Sequence, residues 1–434
     1  MVLMPHWPEI AKINQIKYDL SRIEALLAVL GNPHLSLPPV IHIAGTNGKG
    51  STVSYLKAIF NAANYKVHTY TSPHLIEFNE RIELDSKKID DQLLFELCEK
   101  VRIKSEEHNI DPSFFEAITA VAFLAFSQVK ADVVLLETGL GGRLDATNVV
   151  PAPLLTIITP VSFDHMHILG DTIAKIAQEK AGIIKKNIPC IISQQSKEAL
   201  DVILKRCAEQ NSVAIKYLHD FSAEILPDGF NFFAQANNFN FPIRLPAPAL
   251  KGQHQILNAA TVVAALTLGQ KIFSFTGEQI CRGISSAVWP GRIQKIPQKN
   301  YSRFIHHGVQ IWLDGAHNPH GAQVLANWIR AQLKEKVILI VGITKNRDVY
   351  KFLSHFDGLC SQIFTVPVLS EPVSYSSQAL TELAAQNGIS TTACLSLEHA
   401  LTTINNNLFS GNIIITGSLF LISDFYSLMA LREL

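Results

Sequence analysis

Eight consecutive residues, Gly45, Thr46, Asn47, Gly48, Lys49, Gly50, Ser51 and Thr52, carry the clearest chemical pattern in this chain. Three glycines in so short a run let the backbone curl until its N–H groups face phosphate oxygens. The apolar run Val40–Ala44 precedes them as a predicted strand, and a helical stretch follows. Strand, glycine loop and helix in that order is the setting a phosphate loop requires, and the helix N-terminus adds positive potential. Lys49 can reach the β- and γ-phosphates of a nucleotide, and Ser51 or Thr52 can meet Mg²⁺. The spacing is not that of a standard Walker loop: two residues, not four, separate Gly45 from Gly48 and Lys49, and Gly50 stands between Lys49 and Ser51. The competing reading is a glycine-rich turn without a ligand.

Lys180 stands out for its position. A predicted helix from Asp171 to Gly182 carries Ile173, Ile176 and Ala177 on one face, and Lys180 continues that face. A lysine on an apolar stripe is unusual unless it is paired or buries only its stem. Snorkelling at a helix end serves the pattern equally well. Glu137 begins a glycine-rich stretch at a predicted strand end, where open α/β sheets bind ligands. Asp164 and His165 close the strand-like run Leu154–Val161, and Asp314 and His317 follow the predicted strand Val309–Leu313. Phe114 and Phe115 open a predicted helix; they could stack a flat ring, but aromatic residues there are more often core.

The elements that must hold these residues alternate in type. Strands are predicted at Val40–Ala44, Val67–Thr71, Asp132–Glu137, Leu154–Thr159 and Ile188–Ile192, with helices at Ser51–Asn64, Phe114–Ser127 and Asp171–Gly182. Continuous apolar strands separated by helices predict a doubly wound, mostly parallel sheet covered on both faces. Phe221–Leu245 breaks the rhythm, with Phe230, Phe232 and Phe233, then Phe239 and Phe241, in short alternating strands that predict an antiparallel edge. A long helix is expected at Gln253–Leu268. Pro290 and Gly291 punctuate the chain before Arg292, which places a boundary between residues 1–289 and 290–434. A second βα series follows at Val309–Leu313, Val337–Val341, Gln362–Val366 and Asn412–Thr416, a smaller α/β domain of about 140 residues.

Composition narrows the function classes. The chain has 434 residues, with 37 Lys+Arg against 37 Asp+Glu, and so lacks the cationic excess of a general nucleic-acid binder. Six scattered cysteines form no CxxC pair, which argues against zinc and for reduced thiols. The first ten residues contain two prolines and no basic segment leading into an apolar run, and the longest mostly apolar stretch, Ala117–Phe126, is too short to span a bilayer. A soluble cytoplasmic protein is expected, without membrane or nucleic-acid partners.

The glycine loop, in the form Ala-Gly-Thr-Asn-Gly-Lys-Gly-Ser, resembles the nucleotide loop of the Mur ligase superfamily, and specifically its folylpolyglutamate synthase/dihydrofolate synthase branch. Thr71–Leu75 with Asn79, Glu80 and Arg81, and the stretch Glu137–Asn148, resemble the same branch, and the likeness runs from about Ile16 to Phe425. It implies an ATP-dependent enzyme adding L-glutamate to dihydropteroate or to a folate carboxylate. Implied with it are two Mg²⁺ ions held by Ser72, Glu137 and His165, K⁺ as a supporting cation, a carbamylated Lys180 and a monomer. ATP contacts are implied at Thr46, Asn47, Gly48, Lys49, Gly50, Ser51, Asn258, Arg292 and Asp314. Dihydropteroate or folate contacts are implied at Ser113, Phe114, Phe115, Glu116, Leu144, Asp145 and Ala146, and glutamate contacts at His317 and Ser418. The chain departs from the pattern in a second histidine, His167, beside His165, and in Phe420, where some relatives have tyrosine.

A carboxylate is a poor acyl donor until its oxygen becomes phosphate. The expected reaction therefore forms an acyl phosphate from ATP, which the glutamate amine attacks, with Lys49, Arg292 and Mg²⁺ neutralising charge and His317 as the candidate base. Closure at Pro290–Arg292 would assemble the parts. Two other readings compete: a cell-wall Mur ligase, although only about 40 residues precede the first loop, too few for that enzyme's extra domain; and a binding module that hydrolyses ATP as a switch.

Overall fold

The computed structural model of the chain describes residues 19–234, 243–269, 272–386, 388–407 and 409–430. It divides into two compact units: Met1–Ser162 with Leu169–Ala249 and Gln255–Val288, and Phe163–Ile168 with Leu250–His254 and Trp289–Leu434. No helix among the described residues is long and apolar enough to cross a membrane.

The first unit is built on eight strands, β1 (Val40–Ala44), β2 (Val67–Tyr70), β3 (Ile82–Leu84), β4 (Lys87–Lys88), β5 (Val133–Glu137), β6 (Leu155–Ile158), β7 (Cys190–Ile192) and β8 (Ala214–Lys216). Their order is β4-β3-β2-β5-β1-β6-β7-β8. β1, β5 and β6 are buried along their whole length, as the unbroken Val/Ile/Leu runs of a doubly covered parallel sheet require. β1 pairs in parallel with β5 on one side, Ile43 opposite Glu137, and with β6 on the other, Ala44 opposite Ile158. The chain leaves β1 toward β2 on one side and lays β6, β7 and β8 on the other, so the winding reverses beside β1. A crevice is expected outside the carboxyl ends of the strands at such a reversal.

Local chemistry moves the element ends from where periodicity alone puts them. The helix expected from Ser51 starts at Lys49, because Gly48 takes φ +93° and caps it, and it ends at Ala62 before Asn64, which is left-handed at φ +62°. The helix expected from Asp171 spans Ile173–Ala181, since the Thr172 hydroxyl accepts the Lys175 N–H at 3.2 Å. β7 begins at Cys190 and not Ile188, as Pro189 has no N–H to pair. Helix Phe114–Gln128 opens on a capping box. The Ser113 hydroxyl accepts the Glu116 N–H at 3.4 Å, and the Glu116 carboxylate accepts the Ser113 N–H at 2.7 Å. That helix buries Phe123 and Phe126 almost completely, each contributing about 2–3 kcal/mol of apolar burial.

The antiparallel edge of the large sheet is made by β3 and β4, where Tyr70 faces Ile82 and Glu83 faces Lys88. The aromatic segment does form antiparallel strands, β9 (Phe221–Leu226), β10 (Gly229–Ala234) and β11 (Ile243–Pro246), but they bond to one another as a sheet of three. Phe239 and Phe241 lie outside the described residues. The long helix spans His254–Gly269.

The second unit has six strands, β12 (Gln294–Lys295), β13 (Val309–Leu313), β14 (Val337–Val341), β15 (Cys360–Thr365), β16 (Thr392–Ala393) and β17 (Gly411–Thr416), in the order β12-β13-β17-β14-β15-β16. All neighbours are parallel except β12 with β13. Its core gathers Trp328, Phe352, Phe356 and the β14 side chains.

Candidate active site

The glycine loop leaves the end of β1 in a conformation only glycine fits. Gly45 has φ +152°, and a Cβ there would lie 1.8 Å from the Thr159 hydroxyl; Gly48 has φ +93°, and a Cβ would meet Asn258 Oδ1 at 2.8 Å. The Thr46 and Asn47 N–H groups both donate to Pro160 O, at 3.0 and 3.2 Å, so these two N–H groups brace the loop on the strand-end segment after β6. The N–H groups available to an anion are those opening helix Lys49–Ala62, which have no intrahelical partner. Behind them Gln255, fully buried, donates to Ser51 Oγ at 3.2 Å and accepts from Asn258 Nδ2 at 3.0 Å. Asn258 is 4% exposed and sits against Gly48.

Two amines converge on one carbonyl. Lys49 Nζ donates to Gly45 O at 3.2 Å, and Lys180 Nζ donates to the same oxygen at 3.0 Å. Lys49 Nζ also lies 3.8 Å from Oε1 of Glu137, which is 4% exposed at the end of β5. Lys180 is buried with Ile176, Ala177 and Ala181, which excludes snorkelling. Burial first, and Lys49 second, lower its pKa to about 7, against a smaller opposing pull from Asp145. At neutral pH a large fraction of this amine is therefore unprotonated and nucleophilic.

The glycine-rich stretch after Glu137 is folded around Asp145. Its carboxylate accepts from Leu140 N at 2.8 Å, Thr147 N at 3.0 Å and the Thr147 hydroxyl at 2.5 Å. Burial pushes its pKa up and the hydrogen bonds from Thr147 oppose that. Having given its one hydrogen to Asp145, the Thr147 hydroxyl must accept from His42, whose Nε2 lies 2.8 Å away. Neutral His42 with hydrogen on Nε2 thus ties the centre of β1 to the loop. Burial, helped by Lys185, lowers its pKa to about 3.

That shift fixes the sign of an acid effect. Between pH 6.5 and about 3 the unfolded chain binds a proton at His42 that the folded chain does not. Stability is therefore complete above pH 6.5 and falls as pH is lowered through that window, by about 1.4 kcal/mol per pH unit from this group. His42→Gln keeps a donor for Thr147 but cannot titrate, and should show a shallower acid limb when urea midpoints are plotted against pH. An unchanged slope would remove His42 as the source.

The residues expected at a pterin site divide between scaffold and surface. Ser113 and Glu116 cap their helix, and Glu116 pairs with Arg22 at 2.9 Å. Asp145 is 5% exposed with both oxygens engaged in its own loop, and Ala146 is 4% exposed. Phe115 lies over Gly139, where a Cβ would come within 2.4 Å of its ring, and Phe114 meets Phe78 edge-on at 5.9 Å. Both rings are only partly buried against the core. Leu144 is partly exposed in the same loop. Ser72 follows β2 in a cis peptide bond to Pro73.

Within the second unit Asp314 accepts from Ile293 N and Ala316 N, both at 2.9 Å, and so joins the Gly291–Ile293 turn to the end of β13. Burial raises its pKa and Arg292 opposes this. Arg292 Nη1 lies where a Cβ on Gly315 would approach to 2.5 Å. His317 places Nδ1 2.8 Å from Gly315 O and Nε2 3.2 Å from Asp164 Oδ2. Asp164 also accepts from Asn318 Nδ2 at 3.2 Å and forms an ion pair with Arg347. Arg347 Nη2 is 3.3 Å from His165 Nε2. Both His317 ring nitrogens thus face oxygen acceptors. Ser418 is buried, its hydroxyl accepting the Phe420 N–H at 3.1 Å as the last helix, Leu419–Ala430, begins. Among the described residues no three His, Cys, Asp or Glu side chains group as a metal site.

The Mur ligase middle domain profile matches residues 43–266, and the dihydrofolate synthetase C-terminal domain profile matches 298–428. The dihydrofolate synthase/folylpolyglutamate synthase of Bacillus subtilis is 37% identical over 361 residues, covering 80% of each chain. The chain belongs to the folylpolyglutamate synthase/dihydrofolate synthase family of the Mur ligase superfamily. As a member it is an ATP-dependent acid–amino-acid ligase. Among solved structures, Escherichia coli FolC in complex with DHPP and ADP superposes with a TM-score of 0.85 at 27% identity, covering 96% of this chain and 95% of that one. A bifunctional folylpolyglutamate synthase/dihydrofolate synthase with Mn, AMPPNP and L-glutamate bound superposes at 0.83 with 26% identity, covering 95% of each. The family selects the folate branch over the cell-wall ligases.

Three residues of this ligase have no place in the sequence analysis. Gln255 stands three residues before Asn258, one helical turn away, and that spacing could have pointed to it. His42 lies inside the apolar run of β1, where a lone histidine signals a buried partner. Arg347 had no local signal, because its partner Asp164 is distant in sequence.

Proposed function

We propose that this ligase joins L-glutamate to dihydropteroate and to the γ-carboxylate of folate polyglutamates through an acyl phosphate, releasing ADP and phosphate. The observation that carries the reading is the convergence of Lys49, Lys180 and Glu137 on the Gly45 turn, a cationic and anionic cluster at a helix N-terminus beside the sheet reversal. In the proposal the first N–H groups of helix Lys49–Ala62 bind the nucleotide phosphates, and Lys49 neutralises charge on the phosphoryl group as it moves to the acyl carboxylate. Asn258 and Asp314 hold the nucleotide, Arg292 a phosphate, and His317 and Ser418 the glutamate. Residues 1–289 then serve as the ATP domain and 290–434 as the glutamate domain.

Magnesium suits the donors present. Mg²⁺ prefers oxygen and is commonly held by one or two carboxylates plus substrate phosphates, without a protein cage. Glu137, a buried carboxylate beside the phosphate loop, fits that role. Ser72 and His165 are the other assigned ligands; when bound, the ions would supply charge neutralisation on phosphate oxygens. K⁺ as a supporting cation and a monomeric enzyme complete the proposal. Carbamylation of Lys180 would turn its amine into an anion able to orient a cation.

The test is ADP release measured across dihydropteroate, tetrahydrofolate and UDP-linked peptides, each with and without L-glutamate. The expected result is release that needs glutamate and either folate compound. Glutamate-independent release would indicate a nucleotide switch instead. In the same assay Glu137→Gln should raise the Mg²⁺ concentration for half-maximal rate by about ten-fold or more. An unchanged magnesium dependence would remove Glu137 as a ligand.

A further inference from the structure

Arg81 is 8% exposed, yet no carboxylate among the described residues pairs with it. Its Nε donates to His74 Nδ1 at 2.9 Å. Its guanidinium carbon lies 5.7 Å from the Phe78 ring centre and 5.5 Å from that of Phe114. Its terminal nitrogens meet no hydrogen-bond acceptor among the described residues. Two other partly buried arginines do have a carboxylate: Arg22 pairs with Glu116 and Arg347 with Asp164. Burying a guanidinium is costly without an anion, and attraction to aromatic faces offsets only part of that cost. His74 supplies no countercharge. Its Nδ1 must carry no hydrogen to accept from Arg81.

The position of Arg81 says what the anion is. Arg81 ends the turn Phe78–Arg81, and its C=O accepts the Thr71 N–H at 3.0 Å, which places it at the carboxyl end of β2. β2 neighbours β5, whose end carries Glu137. Tyr70, buried behind, lies 5.8 Å from Phe115. A single cation among flat apolar walls matches a ligand that is aromatic and anionic.

We propose that Arg81 is the carboxylate receptor for the pteroyl or folyl substrate, pairing with a carboxylate of that ligand while Phe78 and Phe114 flank it. This rests on the reading under Proposed function. A planar guanidinium binds a carboxylate through two parallel hydrogen bonds, which fixes orientation as well as affinity.

The experiment uses the full chain and the variants Arg81→Gln and Arg81→Lys, with circular dichroism and thermal melts as fold controls. KM is measured for dihydropteroate, tetrahydrofolate, ATP and L-glutamate. Arg81→Gln should raise KM for the acyl substrate by about ten-fold or more, with the ATP and glutamate values within about two-fold. Arg81→Lys should fall between, since it keeps the charge and loses the fork. A rise for both acyl substrates identifies the carboxylate that becomes activated; a rise for tetrahydrofolate alone identifies the α-carboxylate of its glutamyl tail. Unchanged KM for both, or a loss confined to kcat, overturns the proposal. If Arg81→Gln does not fold, the same comparison with Arg81→Lys decides. If the parent chain turns over neither folate compound, the functional reading fails first and this one with it.

Discussion

Lys49→Ala is expected to abolish ligation and to leave the fold intact. The Lys49 amine reaches Gly45 O at 3.2 Å and stands 3.8 Å from Glu137 Oε1, with its side chain 16% exposed. It therefore sits at the rim of the loop and not within a hydrophobic cluster, and truncation opens no core cavity. Its loss removes the one side-chain cation that the glycine loop itself supplies to a phosphate. Removing a single preorganised donor at a developing charge typically costs about 10²–10³-fold in kcat, and a full positive charge should cost at least the upper figure. Alanine also leaves the buried Glu137 carboxylate without its nearby cation, so a small stability loss is expected. The check is ADP formation together with circular dichroism and a thermal melt. A folded Lys49→Ala protein turning over within ten-fold of the parent (about 1.4 kcal/mol) would remove the phosphate-loop assignment.

Lys180→Ala should be nearly inactive for a different reason. The Lys180 amine is buried at 4% exposure, bonded to Gly45 O, and its pKa is lowered to about 7 by burial and by Lys49. A neutral amine adds to carbon dioxide: the N–C bond forms, one proton leaves the nitrogen, and the product carries a carboxylate-like anion. In water an ordinary lysine, with pKa near 10.4, is almost wholly protonated at pH 7 and reacts poorly. Here the environment supplies the reactive form. An anion at this point would also relieve the repulsion between two cations that share one carbonyl. Carbon-13 NMR after equilibration with labelled bicarbonate should give a carbamate signal in the parent protein that Lys180→Ala lacks. Short carboxylic acids in solution should restore part of the variant's rate by occupying the vacated space. Absence of the signal, with full activity in the variant, would leave Lys180 as a buried structural amine.

The two lysines illustrate unequal legibility. Lys49 was evident from neighbours within four residues, because the backbone geometry of a phosphate loop is local and its glycines advertise it. The burial of Lys180 was half evident: the apolar stripe of Ile176 and Ala177 pointed inward, but a stripe alone does not say whether a lysine turns out at the helix end. Packing of that helix against Gly142, whose Cβ would strike the backbone carbonyls of Glu179 and Lys180 at 2.9 Å, removes the outward route.

The sequence by itself determined the alternation of apolar strands and helices, the parallel sheets, the glycine loop between strand and helix and Glu137 at a strand end, because each rests on contacts or periodicities spanning only a few residues. Element ends depart from periodicity where a cap or a proline overrides it, as at Gly48, Thr172 and Pro189. What only the tertiary structure decided were the long-range partnerships. His42 meets Thr147 across 105 residues, Gln255 reaches Ser51 across 204, and His317 reaches Asp164 across 153. No local pattern encodes these distances. They arise when elements far apart in the chain pack together: the centre of β1 on the loop after β5, one helix on another, and the turn after β13 on Asp164. The Arg81 guanidinium belongs to the same class: its charge is plain in the sequence, but that it is buried with no acid beside it among the described residues is a fact of packing alone.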